Sequence, residues 1–286
     1  MATSLPYVVL GAGGRLGGQF LVALRDQAVG LRRSEADVVD AARLEAVLLR
    51  LKPGVVINAA AYNFVDRAEE ERAEALAVNF AGPHNLARLC QREGWRLVHF
   101  STDYVFADRP ERQPYSERDR PAPATFYGLS KLMGEQAVMA ACQPALVLRV
   151  AHLYGGHTDN PLRLDLVQRF LEQARTQGVL QASREQFLNP TAVQDVVAVT
   201  LALLETQATG LFHVTGGGQC SVKAFAAEVL RLGGKSATIL ETDDPRRTAR
   251  PRYSVLDNQR LREVGLADLP DWRVSLQVLL HRATAL

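Results

Sequence analysis

Several things that would narrow the class of this chain at once are scarce in it. It has three cysteines in 286 residues, Cys90, Cys142 and Cys220, and no two form a CxxC pair. That excludes a disulfide-stapled scaffold and a cysteine-based zinc module, and it points to a reduced, cytoplasmic setting. No apolar run approaches the ~20 residues a membrane span needs. The opening Met1-Ala2-Thr3-Ser4-Leu5-Pro6-Tyr7 has no basic segment before an apolar core, so no secretory leader is expected. An excess of one charge is missing too: 33 Lys and Arg stand against 31 Asp and Glu, net +2, with both signs scattered. No basic block suggests nucleic acid. The 6 histidines show no ligand spacing, so no metal site is expected. No internal repeat, low-complexity segment or long linker is visible. A chain of this length forms one large domain, or one domain with a smaller lobe.

What is present begins with a strand, a glycine turn and a helix. Tyr7-Val8-Val9-Leu10 is a short apolar run that enters Gly11-Ala12-Gly13-Gly14-Arg15-Leu16-Gly17, and an amphipathic pattern with Phe20, Leu21 and Leu24 follows. Glycines at 11, 14 and 17 permit a tight turn and a close backbone approach to a pyrophosphate, which then meets the free N–H groups of the helix start. A second strand ends near Val29-Gly30-Leu31. An acidic residue often follows there in NAD sites, to hold the ribose 2′-hydroxyl. This chain has Arg32-Arg33 instead, which removes the repulsion of a 2′-phosphate and offers it paired donors. Arg15 in the glycine turn is positioned to add a third guanidinium. NADPH is therefore expected to bind better than NADH.

The second motif is Tyr127-Gly128-Leu129-Ser130-Lys131. On a helix, residues four apart share a face. Thr102 lies just after Leu97-Val98-His99-Phe100, a run that reads as a buried strand. A phenol, an ammonium and a hydroxyl can thus converge at one strand end. A nearby ammonium lowers a phenol pKa from its usual ~10 toward the working range. An ordinary surface Tyr/Lys pair has the same spacing.

Between these motifs, Asp37-Val38 precede a helix over 41–51 closed by Pro53-Gly54, and Val55-Val56-Ile57 is a strand. It ends in Asn58-Ala59-Ala60-Ala61-Tyr62, small residues on which a flat ligand can lie. Helical sequence covers 69–93 and includes Asn79, which is either a solvated polar residue or a support beneath the site. A long polar, proline-rich loop spans 109–123, and a helix carrying Tyr127 and Lys131 runs to about 141. Ala145–Val150 is a fifth strand. This alternation implies an α/β fold, a doubly wound parallel sheet of the NAD(P)-binding Rossmann type, with ligands at the carboxyl ends of the strands. Gly11, Asn58, Thr102 and His152 all follow strand ends. Beyond them the periodicity predicts a helix over 162–177, a strand near 179–180, a loop at 187–191, a helix over 192–204, a strand at 211–214 and a helix around 225–230. The basic cluster 246–252 reads as a loop, and Trp272 opens a terminal helix. The expected division is a dinucleotide-binding domain over 1–151 and a smaller substrate lobe over 152–286 that partly returns to the sheet.

Taken together these strings resemble the dTDP-4-dehydrorhamnose reductase family, a branch of the extended short-chain dehydrogenase/reductases. The resemblance runs through Val55-Val56-Ile57-Asn58-Ala59-Ala60-Ala61-Tyr62, Val65-Asp66-Arg67-Ala68-Glu69, Ser101-Thr102-Asp103-Tyr104-Val105-Phe106, Pro114-Tyr115-Ser116-Glu117 and Tyr127 to Glu135. It continues in Asn189-Pro190-Thr191, Arg250-Pro251, Ser254-Val255-Leu256-Asp257 and Leu269-Pro270-Asp271-Trp272. It implies NADPH-dependent reduction of a 4-keto group on a dTDP-sugar, with Thr102, Tyr127 and Lys131 catalytic. Asp103, Tyr104 and His152 would lie near the sugar and Arg250 near the substrate diphosphate. The cofactor set is then Gly11, Gly13, Gly14, Arg15, Leu16, Gly17, Arg32, Arg33, Asp37, Val38, Ala59, Ala60, Ala61, Tyr62 and Phe100, with Tyr127 and Lys131.

The family commonly has Trp at the position of His152 and Asn at that of Tyr253. Gln19 and Gln194 stand where some members carry metal-binding glutamates at a dimer contact, so no metal is expected, although a homodimer is compatible with the resemblance. The chain is also similar to the regulatory beta subunit of methionine adenosyltransferase, which keeps the Tyr and Lys. A sugar-nucleotide epimerase or dehydratase is a further alternative.

Overall fold

In the computed structural model, which describes residues 7–156, 158–160, 164–242, 248 and 250–284, the short apolar runs are strands because each is covered on both faces. β1 (Tyr7–Leu10) passes through the glycine turn into α1 (Arg15–Leu24), and β2 (Ala28–Leu31) leads to α2 (Ala41–Leu51). After β3 (Val55–Asn58) come α3 (Val65–Ala68), α4 (Arg72–Leu76) and α5 (Gly82–Glu93), then β4 (Arg96–Thr102), α6 (Phe126–Ala141) and β5 (Ala145–Val150). The elements then shorten: β6 (Leu153–Tyr154), α7 (Leu166–Gln177), β7 (Val179–Ala182), β8 (Phe187–Leu188), β9 (Thr191–Ala192), α8 (Val193–Glu205) and β10 (Gly210–His213). The chain ends with β11 (Cys220–Ser221), α9 (Val222–Leu232), β12 (Thr238–Glu241), α10 (Gln259–Glu263) and α11 (Trp272–Thr284).

The main sheet has six strands in the order β10-β5-β4-β3-β1-β2, every neighbouring pair parallel. This is the doubly wound α/β architecture expected from the alternation. Phe20 of α1 and Val196 of α8 pack on one face against Val9, Ile57, Val98 and Leu148. Leu44, Leu86 and Val138 of α2, α5 and α6 pack on the other against Val8, Leu10, Val56 and Val147. With both faces buried, the strands read as continuous apolar runs rather than alternating ones. β1 has β2 on one side and β3 on the other, so the winding reverses beside it, which opens a crevice at the carboxyl ends. A separate core of Phe170, Phe225, Trp272 and Leu276 joins α7, α9 and α11. Meanwhile α8, β10 and Leu261 of α10 return to the main sheet.

Four local expectations change. The helix over 69–93 is broken between α4 and α5 by a wide turn, Ala77–Ala81, in which Asn79 points inward and is fully buried. The loop at 187–191 contains β8 and β9, two-residue strands paired with β11 and β6. β12 and α10 were not expected: β12 is largely exposed and α10 has five residues, too few to show a period. α7 begins at Leu166, where Asp165 accepts from Gln168 N in a capping box. Leu162, at the expected start of that helix, lies outside the described residues, as do the first six residues and Arg246, Arg247 and Ala249 of the basic cluster. No helix among the described residues is long and apolar enough to cross a membrane.

Candidate active site

The glycine turn is fitted to the ends of three strands. Gly11 and Ala12 donate to Leu31 O at 3.1 and 3.2 Å, and Ala59 N donates to Leu10 O at 3.1 Å. Gly11 has φ +74°, and a Cβ there would lie 2.7 Å from Ala60 N. At Gly17 a Cβ would lie 2.3 Å from Gly11 O. Neither position accepts a side chain, and the turn lies flat against Ala59 and Ala60. Among the described residues no side chain caps α1 at Gly14, so its first N–H groups face the crevice as an anion site. This cradle fits a dinucleotide pyrophosphate.

The arginines are distributed differently from the expected trio. Arg32 Nε donates to Asp159 Oδ2 at 2.6 Å, and Arg33 Nε to Asp37 Oδ2 at 2.9 Å. Both stay at the outer rim of the crevice, beside buried Val38. The Arg15 guanidinium turns away from them onto the lobe, donating to Gln168 Oε1 at 2.7 Å and lying 3.2 Å from Asp165 Oδ2. Here the capping carboxylate of α7 is its partner, and the expected third guanidinium lies apart from the other two. Leu16 is buried in the core under the turn.

At the other end of the crevice, β4 and α6 meet. Thr102 ends β4 and caps the tight turn Asp103–Val105, accepting from Tyr104 N at 3.2 Å. Thr125 caps α6, accepting from Gly128 N at 3.0 Å, which starts the helix at Phe126, one residue before Tyr127. Lys131 is buried, and its ammonium donates to Phe100 O at 2.5 Å. Asn79 donates to Tyr62 O at 2.9 Å and Ser130 Oγ at 3.0 Å, while its Oδ1 accepts from Tyr62 N at 2.9 Å. Ser130 in turn donates to Tyr127 O at 2.8 Å. Asn79 therefore supports both the Ala61-Tyr62 loop and the helix turn carrying Tyr127, the structural one of its two expected roles.

Electrostatics in this corner run against one expectation. The Tyr127 pKa is pushed up to about 12, by burial first; a hydrogen bond with Thr102 works downward and the Asp103 carboxylate upward. The expected fall driven by Lys131 is reversed, because the ammonium is committed to the Phe100 carbonyl and desolvation of the phenolate dominates. The Lys131 pKa is itself lowered to about 8, again by burial, with Glu135 opposing. Burial also raises Asp103, which His152, Ser254 and Thr102 partly offset.

Toward the lobe, the Tyr104 ring makes an edge contact with Tyr127 at 5.9 Å and with His152 at 6.4 Å between centroids. His152 holds a left-handed backbone, φ +44°, with Nδ1 3.8 Å from Asp103 Oδ2. That conformation is uncommon for a side-chain-bearing residue and marks a constrained site. A cavity of about 300 Å³ opens beside Tyr104 and His152 and extends to Phe170 and Gln186, with Arg169 in its lining. A groove of about 460 Å³ between α2 and α5 includes none of these residues. The buried guanidinium of Arg250 donates to Asp66 Oδ2 at 2.9 Å and Thr248 O at 3.0 Å, joining this segment to α3. Sequence reasoning missed Arg169, Asp159 and Ser254, whose hydroxyl donates to Asp103 Oδ2 at 2.6 Å. Arg169 is one of many helix arginines, and Asp159 and Ser254 sit 127 and 151 residues from their partners.

Comparison with known proteins agrees with this geometry. Residues 7–285 match the family described as RmlD substrate binding domain. A dTDP-4-dehydrorhamnose reductase of Mycobacterium tuberculosis is 37% identical over 96% of this chain and 91% of its own length. A dTDP-4-dehydrorhamnose reductase structure from Clostridium acetobutylicum has a TM-score of 0.92 at 31% identity, covering 98% of this chain and 99% of its own. One from Bacillus anthracis, solved in complex with NADP, has a TM-score of 0.91 at 30% identity, covering 97% and 99%. By sequence and by fold, this chain belongs to the dTDP-4-dehydrorhamnose reductase family.

Proposed function

We propose that this protein is a sugar-nucleotide ketoreductase that uses NADPH to reduce the 4-keto group of a dTDP-deoxysugar to an alcohol. The observation that carries the reading is the corner where Thr102, Tyr127 and Lys131 gather at the end of β4. It lies in a sheet whose first turn fits a pyrophosphate. Bound NADPH supplies the hydride that the carbonyl carbon takes up. Tyr127 gives its proton to the carbonyl oxygen, and a pKa near 12 keeps that phenol protonated at neutral pH, the form an acid needs. The Thr102 hydroxyl holds the carbonyl oxygen beside the phenol. Lys131 holds the nicotinamide ribose from its place on the Phe100 carbonyl. Gly11 to Gly17 and the start of α1 hold the pyrophosphate, with Ala59 to Tyr62 as the flat wall. Arg32 and Arg33 hold the 2′-phosphate beside Asp37 and Val38. Asp103, Tyr104 and His152 face the sugar, and residues 152–286 are the substrate lobe on a dinucleotide domain of 1–151. The free cysteines, all buried, suit the reducing cytoplasm.

The test follows NADPH absorbance while the purified protein is given dTDP-4-keto-6-deoxysugars of both configurations at C5. One NADPH consumed per C4 alcohol formed is expected. NADPH binding with no consumption across the panel overturns the proposal.

A further inference from the structure

One carboxylate at the outer rim, Asp159, has no part in the proposed function. Asp159 reaches Arg32 from the loop after β6, 127 residues away in sequence, and its Oδ2 accepts from Arg32 Nε at 2.6 Å. Its own main-chain N–H donates to Gly13 O at 3.0 Å. The Thr158 hydroxyl donates to the same carbonyl at 3.1 Å. A Cβ on Gly13 would lie 2.7 Å from Asp159 Oδ2, so the carboxylate rests directly against the glycine turn. The two side chains are 61% and 45% exposed. Two hydrogen bonds onto Gly13, rather than burial, therefore set the position of this carboxylate.

We infer that Asp159 is a cofactor-specificity residue: its carboxylate occupies Arg32 where a ribose 2′-phosphate would bind, and a phosphorylated cofactor has to displace it. The inference rests on the cofactor reading above. A guanidinium serves a carboxylate and a phosphate through the same charge-assisted hydrogen bonds. A 2′-phosphate brought to Arg32 therefore meets a competitor and a like charge. A 2′-hydroxyl meets neither, and it can donate to the carboxylate as it does to the acidic residue that follows the second strand in NAD sites. Asp159 thus stands in, from a distant loop, for the acid that Arg32 replaced. Glu35 accepts from the main-chain N–H of Arg32 at 2.9 Å and acts on its guanidinium only through charge, more weakly than Asp159, and Arg33 is paired with Asp37, so neither takes the place of Asp159. Exposed pairs are individually weak and screened by salt, which bounds the effect to about fivefold in affinity.

The experiment is calorimetric titration of NADPH and NADH into the full chain and into Asp159→Asn, which keeps the shape and the N–H bond to Gly13. NADPH is expected to bind about twofold to fivefold more tightly to the variant, with NADH unchanged or weaker. In an Arg32→Leu background the gain is expected to shrink, since the group competed for is gone. An unchanged ratio of the two affinities in Asp159→Asn overturns the inference and leaves the cofactor reading standing. A gain equally large without Arg32 overturns it too, because that is general charge rather than competition. A wild-type chain that binds neither nucleotide overturns both.

Discussion

The two ends of the crevice are built on opposite electrostatics. At the reaction end the charged groups are buried and each has a fixed partner: Lys131 on the Phe100 carbonyl at 2.5 Å, Glu135 on Arg149 at 2.7 Å, Asp103 on Ser254 at 2.6 Å. Burial moves their protonation, holding the phenol up and the ammonium down. At the outer end the arginines of the Arg32–Asp159 and Arg33–Asp37 pairs are largely exposed, and such pairs are individually weak. The reaction end is thus preset before anything binds, while the outer end can exchange partners. Substitutions at the first should have large effects on chemistry or folding. Those at the second should act on affinity and yield to salt.

The sharpest break should come at the phenol. Tyr127→Phe removes one hydroxyl and keeps the ring against Tyr104. Turnover should fall by about 10²–10⁴-fold, the usual worth of a placed general acid, while NADPH affinity holds. Steady-state rates beside a binding titration decide it, and near-normal turnover removes Tyr127 from the mechanism. Next is the buried pair behind it. Glu135 and Arg149 are 0% and 2% exposed, and Arg149 also lies over the Phe106 ring at 5.0 Å. Glu135→Gln strands a buried guanidinium and should cost about 3–5 kcal/mol in urea unfolding. The exposed Glu45 beside Arg92 is the control, and Glu45→Gln should barely move the midpoint.

Lys131 tests the link between burial and pH. Its pKa is lowered to about 8 in the fold from 10.5, so the folded chain binds fewer protons than the unfolded one between those values. Stability attributable to Lys131 should therefore rise with pH through that window, and Lys131→Met should abolish the rise. Affinity for the nicotinamide ribose has the opposite sign, falling as the ammonium deprotonates above about pH 8. If the pH profiles of melting and of NADPH binding are both unchanged by Lys131→Met, the ammonium is not the group being titrated.

How much of this was legible in sequence follows the same division. The six strands of the main sheet, the glycine turn and the Tyr127–Lys131 face were readable because their residues are neighbours along one strand or one helix. Thr102 was readable because it ends an unbroken apolar run. The reversed shift at Tyr127 was not, since the phenol's burial is a property of the packed corner rather than of a spacing. Asp159 and Arg169 were hidden for a related reason: the lobe brings them to the crevice from elements whose periodicity says nothing about where they dock. The turn at Asn79 broke an expected long helix because its amide satisfies Tyr62 and Ser130, a tertiary demand that overrides helix propensity.

The smallest effect should be at the outer rim, in the choice of cofactor. Arg32 follows β2 directly, and Gly11 and Ala12 are hydrogen-bonded to the last carbonyl of that strand, Leu31 O. The arginine is thus fixed relative to the glycine turn even though its side chain is exposed. A 2′-phosphate at this rim gains charge-assisted hydrogen bonds from Arg32, and from Arg33 if it leaves Asp37. One such contact corresponds to about tenfold in affinity, so NADPH should bind about tenfold tighter than NADH in dilute buffer. Arg32→Asp replaces the donor by a carboxylate that repels the phosphate and accepts the 2′-hydroxyl, so it should erase or invert the preference. Raising salt to 1 M cuts the screening length to about 3 Å, and the wild-type preference should shrink accordingly. The Tyr127→Phe rate defect should not respond to salt, because proton transfer in a buried corner is not a screened surface interaction. Equal affinities for the two cofactors in wild type at low salt would show that the arginines at the rim do not read the phosphate.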